Sequence, residues 1–272
     1  MAYKLLALDM DGTLLDSRKH VLPRTRDALQ QLAQTSVPIA YCTGRCVSEL
    51  MDYPTELPFI RYGVLSSGAV LYDFARGEAL ELHALRADDV LRAMELANEE
   101  YCMMHAMSLT TSVVQTGALE LMDSVGMGIY VPMFEQIATQ VEDFAAWIGA
   151  HDGEVVKINF YHRTPQSRDC TRKRIEEAGL PLALANAEET SVECSAQGIS
   201  KAEGLRALAS LLSIDMADVV AIGDSYNDVE ALQAVGMPVA MGNAPDDIKA
   251  MARLVVADND HDGIVEAIER LF

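Results

Sequence analysis

Four short polar clusters stand out in the sequence because each adjoins an apolar segment. They are the runs from Asp9 to Thr13, from Thr43 to Arg45 and from Gly223 to Asp228, together with Lys201. Ligands of open parallel sheets bind beyond the carboxyl ends of the strands. Three clusters follow strand-like runs, and Lys201 begins the helix that leads to the last of them. We therefore expect the four clusters to converge on one crevice.

The carboxylates in these clusters predict a divalent cation. Like charges at close range cannot all stay ionised without a counter-charge, and a shell made only of oxygen ligands suits Mg²⁺. We expect the side chains of Asp9 and Asp224 to be metal ligands, with the backbone carbonyl of Asp11 as a third. Asp228 is expected to hold a metal-bound water.

The remaining polar groups are suited to binding a phosphate. Thr43 offers a hydroxyl, Gly44 a backbone N–H and Lys201 a positive charge. Asn227 can donate from its amide, and Met10, between the two aspartates, is counted with these phosphate-binding residues. Together they would neutralise the charge spread over a phosphoryl transition state, where positioning and electrostatics carry most of the catalysis.

The segments around these clusters alternate between strand and helix patterns. Lys4–Leu8, Val37–Cys42 and Val219–Ile222 are apolar runs without polar alternation, which is typical of strands buried inside a parallel sheet. Helices with one apolar face are predicted over 23–34 and 201–212. This alternation predicts an α/β fold with a doubly wound parallel sheet.

The middle of the chain has a different pattern. Glu154–His162 alternates partly, which predicts an antiparallel sheet with Lys157 and Asn159 on a solvent-facing side. Helices are predicted over 87–99, 134–150 and 167–178. We therefore predict a core domain made of residues 1–83 and 188–272, divided by an inserted α+β domain of residues 84–187.

Composition limits the possible partners. The 272 residues carry a formal net charge of −20 at pH 7, which disfavours binding to nucleic acids and to anionic membranes. The five cysteines include no Cys-x-x-Cys pair, which favours reduced thiols in a cytoplasmic protein. Asp9 and Asp11 interrupt the first apolar run, so no signal peptide is expected. The oligomeric state stays open.

The run from Asp9 to Thr13 resembles the signature of the haloacid dehalogenase-like (HAD) superfamily of phosphohydrolases, whose core is Rossmann-like. Thr43, Lys201 and the run from Gly223 to Asp228 are similar to the remaining motifs of that superfamily, in the same order. An insert between the second and third motifs resembles, by position and size, the α/β cap of the Cof-type branch. Ser67 departs from that branch, which often has Asn before the glycine found here at Gly68.

The resemblance implies a phosphatase that uses Mg²⁺ and acts on a small phosphorylated metabolite, such as a sugar phosphate or a phosphorylated cofactor. Asp9 would be the nucleophile that forms an aspartyl-phosphate, and Asp11 would be the general acid and base. Lys201 would pair with both Asp9 and the phosphate. The catalytic residues implied are thus Asp9, Asp11 and Lys201.

Two other functions fit the same residues. A phosphosugar mutase would share the aspartyl-phosphate but would move phosphate within a bisphosphate sugar. A non-catalytic protein that binds a phosphorylated metabolite would keep the pocket without turnover. The acid at Asp11 argues against this second alternative, because binding alone needs no general acid.

Overall fold

The computed structural model describes residues 3–186 and 188–272. It divides into two compact units. The core unit contains the chain through Gly44, Asp52–Glu81 and Ser200–Phe272, and the insert unit contains Arg45–Met51 and Leu82–Ile199. Among the residues described, no helix has the length and apolar character needed to cross a membrane.

The strands are, in chain order, β1 (Leu5–Leu8), β2 (Ile39–Cys42), β3 (Tyr62–Leu65), β4 (Val70–Asp73), β5 (Glu78–Leu82), β6 (Cys102–Met107), β7 (Ser112–Gln115), β8 (Ala138–Val141), β9 (Lys157–His162), β10 (Leu182–Ala185), β11 (Ser191–Ala196), β12 (Val219–Gly223), β13 (Met237–Ala240) and β14 (Leu254–Val255). The α-helices are α1 (Pro23–Gln34), α2 (Tyr53–Glu56), α3 (Ala87–Ala97), α4 (Val131–Ile137), α5 (Phe144–Ala150), α6 (Pro165–Glu177), α7 (Lys201–Leu211), α8 (Val229–Ala234), α9 (Asp246–Met251) and α10 (Gly263–Leu271). Short 3₁₀ helices include Ser48–Leu50, Ser66–Gly68 and Tyr226–Asp228.

The core unit is built on an eight-stranded sheet in the order β14-β13-β12-β1-β2-β3-β4-β5. The six strands from β14 to β3 are parallel, and β4 pairs antiparallel with β3. Leu5 and Val64 pack against Leu205 and Leu208 of α7 on one face, while Leu6 on the other face is equally buried. Burial on both faces explains the unbroken apolar runs. The predicted α/β fold is therefore confirmed.

The insert unit contains a six-stranded sheet in the order β10-β11-β9-β6-β7-β8, mostly antiparallel. The prediction that one side of β9 faces solvent is wrong, since all six of its residues are buried. Ile158 packs in one apolar cluster and Tyr161 in a second cluster on the other face, with Phe134 of α4. Lys157 is buried because Glu193 of β11 pairs with it.

Three further expectations for the insert differ from the structure. The single helix predicted over 134–150 is wrong: α4 and α5 are separated by β8, whose backbone pairs with β7. The predicted boundary at residue 187 lies outside the described residues, and the insert unit continues beyond it to Ile199. It does so because β11 pairs with β9. The insert unit also includes Arg45–Met51, which the sequence placed in the core.

Candidate active site

Three neighbouring strands bring the predicted residues to one edge of the core sheet. Asp9 directly follows β1, Thr43 follows β2 and Asp224 follows β12. These strands are parallel and adjacent, so their carboxyl ends meet at the same edge. Lys201 is the first residue of α7, whose N-cap Ser200 accepts a hydrogen bond from the Glu203 amide.

Lys201 joins two of the aspartates. Its Nζ lies 2.7 Å from Oδ1 of Asp9 and 2.7 Å from Oδ1 of Asp228. It also donates to Oδ1 of Asn227 at 3.3 Å. Burial by itself lowers the pKa of Lys201, but Asp228 and Asp9 together raise it well above its ordinary value. The lysine is therefore a fixed positive charge inside the site.

The carboxylates outnumber this positive charge. Asp9, Asp224 and Asp228 each place one oxygen within 4.8 Å of the others. Burial, followed by the charge of Asp228, raises the pKa of Asp9 well above its usual range. The same two causes raise the pKa of Asp224 to about 7. Three carboxylates facing one ammonium leave an excess of negative charge, and an all-oxygen donor set of this kind fits a hard divalent cation.

Asp228 is also tied to the backbone. Its Oδ2 accepts hydrogen bonds from the amides of Asp224 and Ser225, both at 3.1 Å. A Cβ on Gly223 would lie 2.5 Å from Cγ of Asp228, so this packing requires a glycine there. Asp228 therefore fixes the loop that carries Asp224 as well as binding Lys201.

Two residues that sequence reasoning did not assign hold Asp224 in place. Thr13 donates to Oδ1 of Asp224 at 2.9 Å, and Asn243 donates to Oδ2 at 3.1 Å. Asn243 also donates to the carbonyl of Gly12 at 2.8 Å. Gly12 has φ of 81°, and a Cβ there would overlap the Asp224 carboxylate. Asn243 follows β13, so the rule that found Asp224 also points to it.

The side chain of Asp11 has a different partner. Its Oδ1 lies 2.7 Å from Nζ of Lys19, and both side chains are about a quarter exposed, at 26% and 23%. The carbonyl of Lys19 accepts a hydrogen bond from the Tyr53 hydroxyl at 2.7 Å. Nothing in the sequence pattern pointed to Lys19. The Asp11 carboxylate does not belong to the cluster formed by the other three aspartates.

Four other predicted phosphate-binding residues have different surroundings. Thr43 is buried at the end of β2, and its amide donates to the Val64 carbonyl at 2.9 Å. The side chain of Met10 is fully buried, so Met10 can offer a ligand only its backbone. Oδ1 of Asn227 accepts from Lys201 and from the Ser225 hydroxyl, the latter at 2.7 Å. Gly44 is the last residue of the core unit before the chain enters the insert.

The core unit thus combines a doubly wound α/β sheet with a buried cluster of aspartates and a lysine at the carboxyl ends of its strands. Residues 6–268 match the haloacid dehalogenase-like hydrolase family, and the chain therefore belongs to that family. The predicted family membership is confirmed by this match.

Similar proteins match along almost the whole chain. Phosphatase YwpJ of Bacillus subtilis is 28% identical over 297 residues, covering 98% of this chain and 99% of that protein. Pyridoxal phosphate phosphatase YbhA of Escherichia coli is also 28% identical, covering 98% of each. A solved haloacid dehalogenase-like hydrolase from B. subtilis has a TM-score of 0.88 at 25% identity, covering 99% of this chain and 100% of that chain. The prediction of a phosphatase-type hydrolase is thus confirmed at the level of enzyme class.

Proposed function

We propose that the protein is a Mg²⁺-dependent phosphatase that hydrolyses small phosphorylated metabolites through an aspartyl-phosphate on Asp9. The observation that carries this proposal is the position of Lys201, whose Nζ lies 2.7 Å from both Asp9 and Asp228. This contact orients one oxygen of Asp9 and leaves the other available to attack phosphorus. It also places a positive charge beside the bond that forms.

The proposed reaction has two displacement steps. Asp9 attacks phosphorus, the bond to the leaving alkoxide breaks, and Asp11 gives that alkoxide a proton. Asp11 then takes a proton from water, which attacks the aspartyl-phosphate and releases inorganic phosphate with Asp9 regenerated. The ion pair between Asp11 and Lys19 must open for Asp11 to carry a proton.

Mg²⁺ is proposed on the basis of the surplus carboxylates. Asp9, Asp224 and the backbone carbonyl of Asp11 would hold the ion, and Asp228 would hold a metal-bound water. When bound, the ion supplies positive charge to the phosphoryl oxygens. Lys201 and Asn227 would bind the phosphate from the protein side, together with the backbone of Met10 and Gly44 and the hydroxyl of Thr43.

The leaving group is proposed to belong to a sugar phosphate or a phosphorylated cofactor. One relative is named for its action on pyridoxal phosphate, which falls in the second group. At 28% identity this relationship guides the choice of test compounds, with pyridoxal phosphate among the first.

The test is release of inorganic phosphate from a panel of phosphorylated metabolites, with Mg²⁺ and with chelator. We expect Mg²⁺-dependent release that Asp9→Asn abolishes and Asp11→Asn lowers by about 10²–10⁴-fold. Asp27→Asn, an exposed change in α1, is the matched control and should keep wild-type rates.

Other outcomes would contradict the proposal. Undiminished release in Asp9→Asn would exclude this residue as the nucleophile. Interconversion of bisphosphate sugars without net release would indicate a mutase. Tight binding of panel compounds without turnover, unchanged in Asp11→Asn, would indicate a binding protein.

A further inference from the structure

The turn after β3 has a backbone that residues with side chains rarely adopt. Ser66, Ser67 and Gly68 have φ of 49°, 58° and 99°. For residues other than glycine such conformations are unfavourable, and they persist only where the surroundings impose them. The Ser66 hydroxyl is buried and has no hydrogen-bond partner among the described residues, which adds to the cost. Such a turn needs stabilising contacts on both sides.

The first of these contacts is with the segment that carries Thr43. The amide of Ser67 donates to the carbonyl of Thr43 at 3.0 Å. The amide of Thr43 in turn donates to the carbonyl of Val64 in β3 at 2.9 Å. These two hydrogen bonds hold Thr43 between the last part of β3 and the turn.

The second contact is with the first turn of α7. A Cβ on Gly68 would overlap the carbonyl oxygen of Ser200 and lie 3.1 Å from the amide nitrogen of Lys201. A Cβ on Gly204 would lie 3.0 Å from Cα of Gly68. Glycine is therefore needed on both sides of this contact. A glycine inside a helix is destabilising relative to alanine, and here Gly204 permits the close approach.

We propose that the Ser66–Gly68 turn is a positioning element that fixes Thr43 and Lys201 relative to each other. The left-handed backbone directs one amide to the Thr43 carbonyl and brings Gly68 against the start of the helix that carries Lys201. The consequence for catalysis rests on the proposed phosphatase function. The contacts that connect the Thr43 segment to the start of α7 through the turn do not depend on that function.

The main test compares two glycine substitutions with similar backbone conformations. Gly68→Ala prevents the close approach to Ser200. Gly77 also has a positive φ, of 71°, but a Cβ added there would have no atom within 4 Å. We expect kcat per folded molecule to fall about 10²-fold in Gly68→Ala, the size expected for a misplacement of about 1 Å. Gly77→Ala should keep the wild-type kcat. Equal losses in the two variants, or no loss in Gly68→Ala, would overturn the proposal.

A second pair of variants tests the backbone of Ser67 and does not depend on Gly68→Ala folding. Ser67→Gly keeps the amide and accepts the left-handed conformation, whereas β-branched Ser67→Val disfavours it. We expect Ser67→Gly to keep kcat and Ser67→Val to lose it with KM little changed. An equal loss in both would assign the effect to the serine side chain and contradict positioning by the backbone.

Hydrogen exchange of the full chain separates this inference from the proposed function. In Gly68→Ala the amides of Thr43 and of residues 204–208 should exchange faster than in the wild type, while β9 of the insert should be unchanged. If the wild type releases no phosphate, the proposed function fails, and the exchange result alone decides whether the turn links the two segments. Unchanged exchange at Thr43 and in α7 would overturn the link.

Discussion

The two units each contain a buried cluster of charged residues, and the two clusters have different balances of charge. The aspartate cluster of the core unit brings Asp9, Asp224 and Asp228 together, and Lys201 is the cation paired with it among the described residues. In the insert unit, Lys157 and Glu193 form a buried ion pair with its charged atoms 2.7 Å apart. The first cluster has surplus negative charge, and in the second pair the charges cancel.

The insert unit also contains a buried carboxylate beside an imidazole. Oε1 of Glu49 lies 3.3 Å from Nε2 of His105, which is also 2.6 Å from the Ser112 hydroxyl. Burial, followed by the charge of Lys157, lowers the pKa of His105 to about 3. Burial raises the pKa of Glu49. Both groups are thus biased toward their neutral forms.

The balance of buried charge distinguishes a candidate functional site from an ion pair that only supports the fold. Buried charges that cancel within the chain are satisfied in the folded protein, and removing one partner leaves an uncompensated charge. Buried carboxylates in excess must either take up protons or bind a cation from solution. The balance of charge is a better guide to a functional site than burial alone, because both units bury charged residues.

Among the changes that test this comparison, the largest effect is expected from removing the ammonium of Lys201 from the aspartate cluster. Lys201→Met should lower phosphate release by about 10²–10³-fold, because it removes a preorganised charge next to the reacting groups. It should also destabilise the fold, since Asp9 and Asp228 lose their partner. Phosphate release and urea unfolding measure the two effects. Lys4→Met, which breaks an exposed ion pair with Asp218, is the control and should leave phosphate release unchanged. Full activity in Lys201→Met would contradict a catalytic role for the aspartate cluster and its lysine.

The balanced pair of the insert should respond to a double substitution differently from a single one. Lys157→Met removes the ammonium that pairs with the buried Glu193 carboxylate, and should lower the free energy of unfolding by about 3–5 kcal/mol. Adding Glu193→Leu should recover most of the lost free energy of unfolding, because it removes the buried carboxylate as well. Urea unfolding at one pH measures both. If the losses of the two single variants simply add in the double variant, the two residues are not energetically coupled, which would contradict the prediction.

Mg²⁺ should stabilise the protein through the aspartate cluster alone. A ligand that binds only the folded state at 100 times its Kd adds about 2.7 kcal/mol. Asp224→Asn should lose most of the Mg²⁺-dependent rise in Tm, while Glu193→Gln, in the insert, should keep it. A Mg²⁺ effect of equal size in Asp224→Asn would place the ion elsewhere.

The smallest effect is a pH dependence from His105. Its folded pKa of about 3 lies below the ordinary value of 6.5, so as pH falls below 6.5 the unfolded chain binds a proton that the folded chain does not. The free energy of unfolding should therefore fall by up to about 1.4 kcal/mol per pH unit, and this contribution is constant above pH 6.5. His105→Gln should flatten the slope between pH 6 and 5, while Ser112→Ala should keep it. An unchanged slope in His105→Gln would assign the dependence to other groups.

The candidate site was largely predictable because it depends on strand ends. Unbroken apolar runs identified β1, β2 and β12, and the rule for parallel sheets then placed Asp9, Thr43 and Asp224 at one edge. Lys201 was found because it begins a helix with clear apolar spacing. Asn243 lies at the same edge after β13 and was within reach of the same rule.

Other features could not be predicted from the sequence, for reasons that differ between residues. Alternation shows that Lys157 and Asn159 share a face of β9 but does not show what covers that face. Serine has no marked preference for left-handed backbone, so Ser66 and Ser67 gave no sign of their turn. The partner of Asp11 is Lys19, a residue with no distinctive neighbours in the sequence.

The membership of Arg45–Met51 in the insert unit bears on how such proteins can be recombined. An exchange of inserts between relatives that moved only Leu82–Ile199 would leave Glu49 behind and separate it from His105. The transplantable module is discontinuous: it comprises both segments, with junctions after Gly44, Met51, Glu81 and Ile199. Chimaeras that respect these four junctions should inherit a complete insert, and the recipient would receive seven residues directly after its own second motif as part of the exchange.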